Sequence, residues 1–397
     1  MSGHPISGRR TALTILAIAA IVGLTYAVAA GSSPSTPAEA GEWRPIAEAP
    51  LAPREGHTAI WTGTEMIVWG GQTVPDSFCR SVDAGETSAA VECTTSDDGI
   101  GPPFEQHADG AAYDPDTDTW RTIPEAPFEG RVFHRAAWTG SEMIVWGGSN
   151  GFVPEVLGAA FDPSTDTWRA LPHVEVGGSL HPELLWDGTH LWLFAGDPFP
   201  TTAQISVARY DPGQDRWTWI GSIDLDTVHD ALRVDDTIYV AGERRVDDAQ
   251  LETVVWAIGP DEPARFVGLL EGTVTLAVDD DRVLAFTSPN TVYAIDDDTE
   301  QLGSQRFLAI DDWGEEEELT PVALAPGELL IYGRHGAHVG EVGEDWAHSE
   351  PPGEAARRYH HTVVWTGDEL ILWGGRSGEN AGPSVATGYA FTPSVDG

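Results

Sequence analysis

The chain has 397 residues and a formal net charge of −42, and all 21 of its basic residues are arginine. So acidic a surface repels phosphate backbones and anionic lipid, which excludes nucleic acid and anionic membranes as default partners. At 41% hydrophobic residues there is material for a sizeable core, and the length suits one all-β ring as well as two or three domains.

Residues 1–31 read as a targeting segment. Arg9 and Arg10 supply a positive start, residues 11–30 carry no charge, and Ala27, Val28 and Ala29 offer small residues for cleavage. The uncharged run also reaches the roughly 20 residues that span a bilayer, so a cleaved signal peptide and a retained signal anchor both fit. In either case the positive flank predicts an extracytoplasmic protein, secreted or membrane-anchored. No cysteine follows the segment, which excludes a lipid-modified cysteine anchor. Residues 32–41 have the Ser, Pro, Ala and Gly composition of a linker.

From residue 42 to 397 the sequence repeats itself. WTGTEMIVWGG at 61–71 returns as WTGSEMIVWGG at 138–148 and as WTGDELILWGG at 365–375. A second block, GAAYDPDTDTW at 110–120, returns as GAAFDPSTDTW at 158–168 and loosely as YDPGQDRW at 210–217. Each block alternates β-branched and aromatic residues around a Gly-containing or Asp-Pro turn, the pattern of a β-hairpin. The unit is therefore four antiparallel strands a to d, beginning in the first copy near His57, Glu65, Ala111 and Trp120. Weaker copies fill the middle of the chain, and strand a begins near His57, His134, His181, His229, Thr273, Pro321 and His361.

A unit of about 50 residues with four strands and a Gly-Gly pair resembles the kelch repeat. The resemblance covers nearly all of residues 42–393 and implies an all-β, seven-bladed kelch-type β-propeller. Units five and six are degenerate, so six or eight blades stay open. The last unit ends after strand c, and Trp43-Arg44-Pro45-Ile46 matches the strand-d stretch Trp120-Arg121-Thr122-Ile123. The N-terminal strand is thus expected to close the last blade and remove the open sheet edges. Residues 72–109 hold a loop insertion in the first blade, with Cys79 and Cys93 inside it. In an exported chain these two predict a disulfide.

Antiparallel order puts the d–a and b–c loops on one face and the a–b and c–d turns on the other. The turn face collects aspartates, among them Asp114, Asp116 and Asp118. The loop face collects Arg54, His57, Arg131, His134, Arg358 and His361 from three Arg-x-x-His stretches. One reading makes this a basic mouth whose arginines clamp a carboxylate or sulfate. The other makes Arg-x-x-His a structural part of the repeat that ties neighbouring loops together. No metal site is expected: no short ligand spacing occurs except His360-His361, whose side chains alternate on a strand. The Asp114, Asp116, Asp118 spacing resembles a calcium loop but lacks its glycine and distal glutamate, which favours a plain turn. Phe104, Phe152, Phe199 and Trp313 fall in loops where an aromatic ring can stack on a sugar.

The ring is also similar to the propeller of galactose oxidase-like copper enzymes, and Tyr359-His360 looks like their Tyr-His pair. The second tyrosine and a cysteine to crosslink it have no match here, so no cofactor is expected. A sialic-acid mutarotase-like ring is another relative of the same architecture. No nucleophile triad, phosphate loop or carboxylate dyad stands out. Two functions follow: a recognition ring for an acidic glycan or a protein, or a carbohydrate-active enzyme of the two kinds just named.

Overall fold

The computed structural model describes residues 40–394, apart from 75–78, 83–89, 94–103, 151–153, 177–180, 197–203, 248–249, 260–263, 271, 280–281, 288–290, 297–300, 308–319, 326–327, 334–335, 342–345, 354–357 and 378–381. The targeting segment, most of the linker and the loop aromatics Phe152, Phe199 and Trp313 lie outside the described residues. Among the described residues no helix is long and apolar enough to cross a membrane.

Seven four-stranded antiparallel sheets form a β-propeller. Blade 1 has strands Thr58–Trp61, Met66–Trp69, Gly110–Asp114 and Thr119–Ile123 in the order a-b-c-d. In blades 2 to 6 strand a is, in turn, Arg135–Trp138, Glu183–Trp186, Thr227–Val234, Val274–Asp279 and Thr320–Ala325. Blade 7 is built from Thr362–Trp365, Leu370–Trp373, Gly388–Pro393 and, as its strand d, the N-terminal Gly41–Pro45. Trp43 pairs with Phe391 in that closing strand, and Ser394 N donates to Ala40 O at 2.8 Å.

The core is seven layers, one between each pair of neighbouring blades. Strand b explains why. In blade 1 it reads Met66-Ile67-Val68-Trp69, every residue fully buried. Side chains alternate across a strand, so Met66 and Val68 pack with Ile371 and Trp373 of blade 7. Ile67 and Trp69 pack with Met143, Val145 and Phe161 of blade 2. A strand covered on both faces needs an unbroken apolar run, which is what MIVW, MIVW and LILW provide.

The Gly-Gly pair that follows serves close approach. A Cβ on Gly70 would meet His134 Cε1 at 2.5 Å, and one on Gly374 would meet His57 Cε1 at the same distance. Among the described residues, innermost strands of consecutive blades pack closely at six junctions, and the contact is thinnest between blades 6 and 7.

The blade 1 insertion rises from the b–c loop through paired strands Gln72–Thr73 and Glu105–Gln106. Beyond them Cys79–Val82 pairs with Ala90–Cys93, and the register sets Cys79 directly opposite Cys93.

Candidate functional site

The three Arg-x-x-His stretches form one turn in three copies. Their third residues, Gly56, Phe133 and His360, all adopt left-handed φ, at 62°, 57° and 52°. Gly56 N donates to His360 O at 3.2 Å and Phe133 N to Gly56 O at 3.1 Å, so the turns of blades 7, 1 and 2 climb the rim as a staircase. Histidine visits this region more readily than most residues, but a bulky phenylalanine there is strained.

The arginines of these turns do not reach the opening. Arg54, Arg131 and Arg358 are 0%, 1% and 2% exposed. Each gives Nη1 to the carbonyl of the first glycine of its own pair: Gly70 at 3.0 Å, Gly147 at 3.1 Å and Gly374 at 3.2 Å. Arg54 also meets Asp109 at 2.9 Å, Arg131 meets Leu157 O at 3.2 Å, and Arg358 meets Thr387 Oγ1 at 2.6 Å. Burial pushes Arg131 down to about 10. The anion-clamp expectation for this trio is thereby corrected: a b–c loop that diverges after two glycines leaves carbonyls without partners, and a buried guanidinium fork satisfies them.

The histidines tie blade to blade. His57 Nε2 lies 2.8 Å from Thr362 Oγ1 of blade 7, and His134 Nε2 lies 2.9 Å from Thr58 Oγ1 of blade 1. Their rings stand edge-on to Trp373 and Trp69, with centroids 5.0 and 4.8 Å away. Burial, then the neighbouring Arg131, pushes His134 down to about 3; burial, then Arg358, does the same to His361. All three histidines line a cup of ≈ 250 Å³ on the loop face, together with Gly56, Phe133, Arg135, Thr320, His360 and Thr362. Phe133 bridges the rim, 5.3 Å from the His181 ring and 5.8 Å from the His360 ring.

One position of strand a decides what the channel presents. It pairs with the residue just before the glycine position of strand b, and around the ring it reads Thr58, Arg135, Glu183, Asp230, Thr275, Thr320 and Thr362. Four blades carry threonine; the three consecutive blades 2, 3 and 4 carry charge. Arg135 Nε sits 3.1 Å from Glu183 Oε2. Asp230 accepts Ala231 N at 2.8 Å and Leu276 N at 2.7 Å. Asp230 is partly buried, and burial, followed by the Glu183 charge, pushes it up to about 7, against the pull of Leu276 N, Ala231 N and Arg135. A carboxyl poised there exchanges protons near neutrality.

A second carboxylate marks the rim. Glu55 is 3% exposed and faces Gln72 Nε2 at 3.1 Å, His360 Nδ1 at 3.1 Å and Arg376 Nε at 3.5 Å. Neither Glu55 nor the Glu183–Asp230 pair stands out from residue spacing. The signal was the break in the threonine series, visible only once strand register is known.

On the opposite face the aspartates behave as turn residues. Asp114 Oδ1 caps Asp116 N at 2.9 Å, and Asp118 accepts Tyr113 OH at 2.7 Å and Ala47 N at 2.8 Å. Sequence sorting by charge missed the clasps there: Arg44–Glu369 at 2.7 Å, Arg121–Glu65 at 2.8 Å and Arg169–Glu142 at 2.6 Å join strand d to strand b within a blade. Tyr359 pairs in register with Arg376. Among the described residues no group of three or more His, Cys, Asp or Glu is placed to hold a metal ion.

No known family pattern matches the chain, and no curated protein matches it. Among solved structures, 836 chains match. One of them, titled "Structure of YjhT", is 10% identical with a TM-score of 0.47, over 87% of this chain and 97% of that one.

Proposed function

We propose that this chain is an extracytoplasmic recognition ring of kelch type that takes a hydroxylated ligand, a sugar or the end of a glycan, into the cup on its loop face. The observation that carries this reading is the run Arg135, Glu183, Asp230 where the repeat otherwise places threonine. Arg135–Glu183 and Asp230–Leu276 N join neighbouring blades, a task that threonine performs at two other junctions, and burying Asp230 costs stability, so we assign the charge to a ligand. The walls are otherwise neutral: His134 and His361 stay uncharged, and Thr320, Thr362 and Phe133 carry no charge. Arg135 is already matched by Glu183. These features favour a neutral polyol over the acidic glycan that an exposed arginine trio would have selected. The uncharged run at residues 11–30 supports placement outside the membrane.

The test is binding of the purified protein to a glycan array at low and high salt. Salt-insensitive binding to neutral glycans, lost in Glu183→Gln, supports the reading; a blank array, or binding that Glu183→Gln leaves intact, overturns it.

Asp230 favours a second reading, a carbohydrate-active enzyme. A carboxyl near pH 7 beside a second carboxylate is what proton transfer to and from a sugar hydroxyl needs. Exchange or interconversion of sugar anomers, lost in Asp230→Asn with binding retained, would decide for it.

A further inference from the structure

Resting on the reading that the cup binds a hydroxylated ligand, we propose that Thr320 Oγ1 and His361 Nε2 form the subsite for one ligand hydroxyl, at the junction of blades 6 and 7.

Equivalent pairs at two neighbouring junctions are hydrogen-bonded. At the junction of blades 7 and 1, His57 bonds Thr362 at 2.8 Å; at the junction of blades 1 and 2, His134 bonds Thr58 at 2.9 Å. Thr320 occupies the same register position, opposite Tyr332, as Thr58 opposite Trp69 and Thr362 opposite Trp373. His361 stands edge-on to Tyr332 at 5.5 Å, as the other two histidines stand to their tryptophans. The third latch thus has both its parts. Yet among the described residues no hydrogen bond joins His361 to Thr320, and both line the cup.

The physical cause is the thin contact between the innermost strands of blades 6 and 7. Tyr332 and a single Gly333 replace the Trp-Gly-Gly of the latched blades, and the two halves stay apart.

A hydroxyl is the group that fits between them. It donates one hydrogen bond and accepts others, so it can serve a neutral imidazole nitrogen and a threonine hydroxyl together. Burial and Arg358 keep the His361 ring neutral, which favours such a group over a carboxylate. Phe133 and His360 also line the cup, their ring centroids 5.8 Å apart.

Threonine-to-valine changes test this because they keep shape and remove only the hydroxyl. The probes are D-glucose, D-galactose, N-acetyl-D-glucosamine and D-galacturonate at millimolar concentration, with wild type titrated first. Thr58→Val and Thr362→Val are expected to lower Tm by about 2 °C each, as loss of one structural hydrogen bond does. Thr320→Val is expected to leave Tm unchanged and to weaken binding of the probe sugar about tenfold. Two results on the variant overturn the subsite alone: a Tm loss in Thr320→Val equal to that of Thr58→Val, which means the latch is closed, or wild-type sugar affinity in Thr320→Val. If wild type binds none of the four probes, the sugar-binding reading fails first and takes the subsite with it. His361→Gln, which keeps a neutral polar side chain, is expected to follow Thr320→Val in affinity.

Discussion

Blades 7, 1 and 2 contrast with blades 3 to 6. The first three share a Trp-Gly-Gly strand end, a buried arginine on its glycine carbonyl and a left-handed turn on the rim. The other four keep the apolar strand b but lose the full tryptophan, glycine-pair and arginine combination. The ring therefore has one sector in which buried arginines hold the strand-b ends of their own blades and His57 and His134 latch neighbouring blades, and another that lacks this set. The cup is lined by residues of blades 7, 1 and 2 and by Thr320 of blade 6, with Arg135 on its wall and Glu183 of blade 3 paired to it. In a repeat protein, regularity marks what the fold needs, and its interruption marks what the fold does not need.

The largest expected effect sharpens this on the structural side. Trp69→Ala empties a fully buried site between blades 1 and 2 and should cost about 3–5 kcal/mol in chemical denaturation. Next, Arg131→Ala strips the donor from Gly147 O and Leu157 O and should cost about 2–3 kcal/mol. Arg131→Lys should recover little of it, since one ammonium cannot reproduce the fork. If Arg131→Ala melts like wild type, the structural role is wrong.

Asp230 works in the other direction. Its folded pKa of about 7 lies above the ordinary 3.8, so the folded state holds the proton more tightly than the unfolded chain does. The stability this contributes is present below pH 4 and lost as pH rises to 7. Asp230→Asn should therefore be more stable than wild type at pH 8, by on the order of 2 kcal/mol, with the difference vanishing near pH 4. A variant that is less stable at pH 8 would show that the carboxylate holds the ring together.

The latch histidines have the opposite sign. His134 is depressed to about 3, so its contribution is full above pH 6.5 and is lost as pH falls toward 3. Tm should drop across that window, and the drop should shrink in His134→Gln.

The smallest effect concerns the insertion. Directly opposed residues of an antiparallel pair have Cα atoms about 4.5–5.5 Å apart, within disulfide range. Intact protein isolated under oxidising conditions should be lighter by two hydrogens than its reduced form. Reduction should leave the ring's Tm unchanged, because the Cys79–Cys93 ribbon lies outside the seven blades. An unchanged mass would sink the crosslink.

The fold was legible because strand b must be apolar on both faces and the turns need glycine or Asp-Pro, so Trp61 to Gly71 and its copies declare the unit. Closure by Trp43-Arg44-Pro45 was legible for the same reason. The site was much less so. The Arg-x-x-His stretches were visible and correctly placed on the loop face, but whether Arg54 meets solvent or Gly70 O depends on burial that spacing does not encode. Glu183 and Asp230 were passed over because Pro182 and a bulge at His229 hide their equivalence to Thr58. Only pairing across the sheet reveals it.

Loop-face arginines divide by register: Arg54, Arg131 and Arg358 are buried against carbonyls, while Arg135 lines the cup. The most direct test of this division sets Arg135→Gln beside Arg131→Gln and measures thermal melting and sugar affinity of both. The account predicts that Arg135→Gln melts like wild type and loses binding, while Arg131→Gln melts several degrees lower. A stable Arg131→Gln that loses binding, beside an Arg135→Gln that binds normally, would contradict it and restore the buried trio as the ligand site.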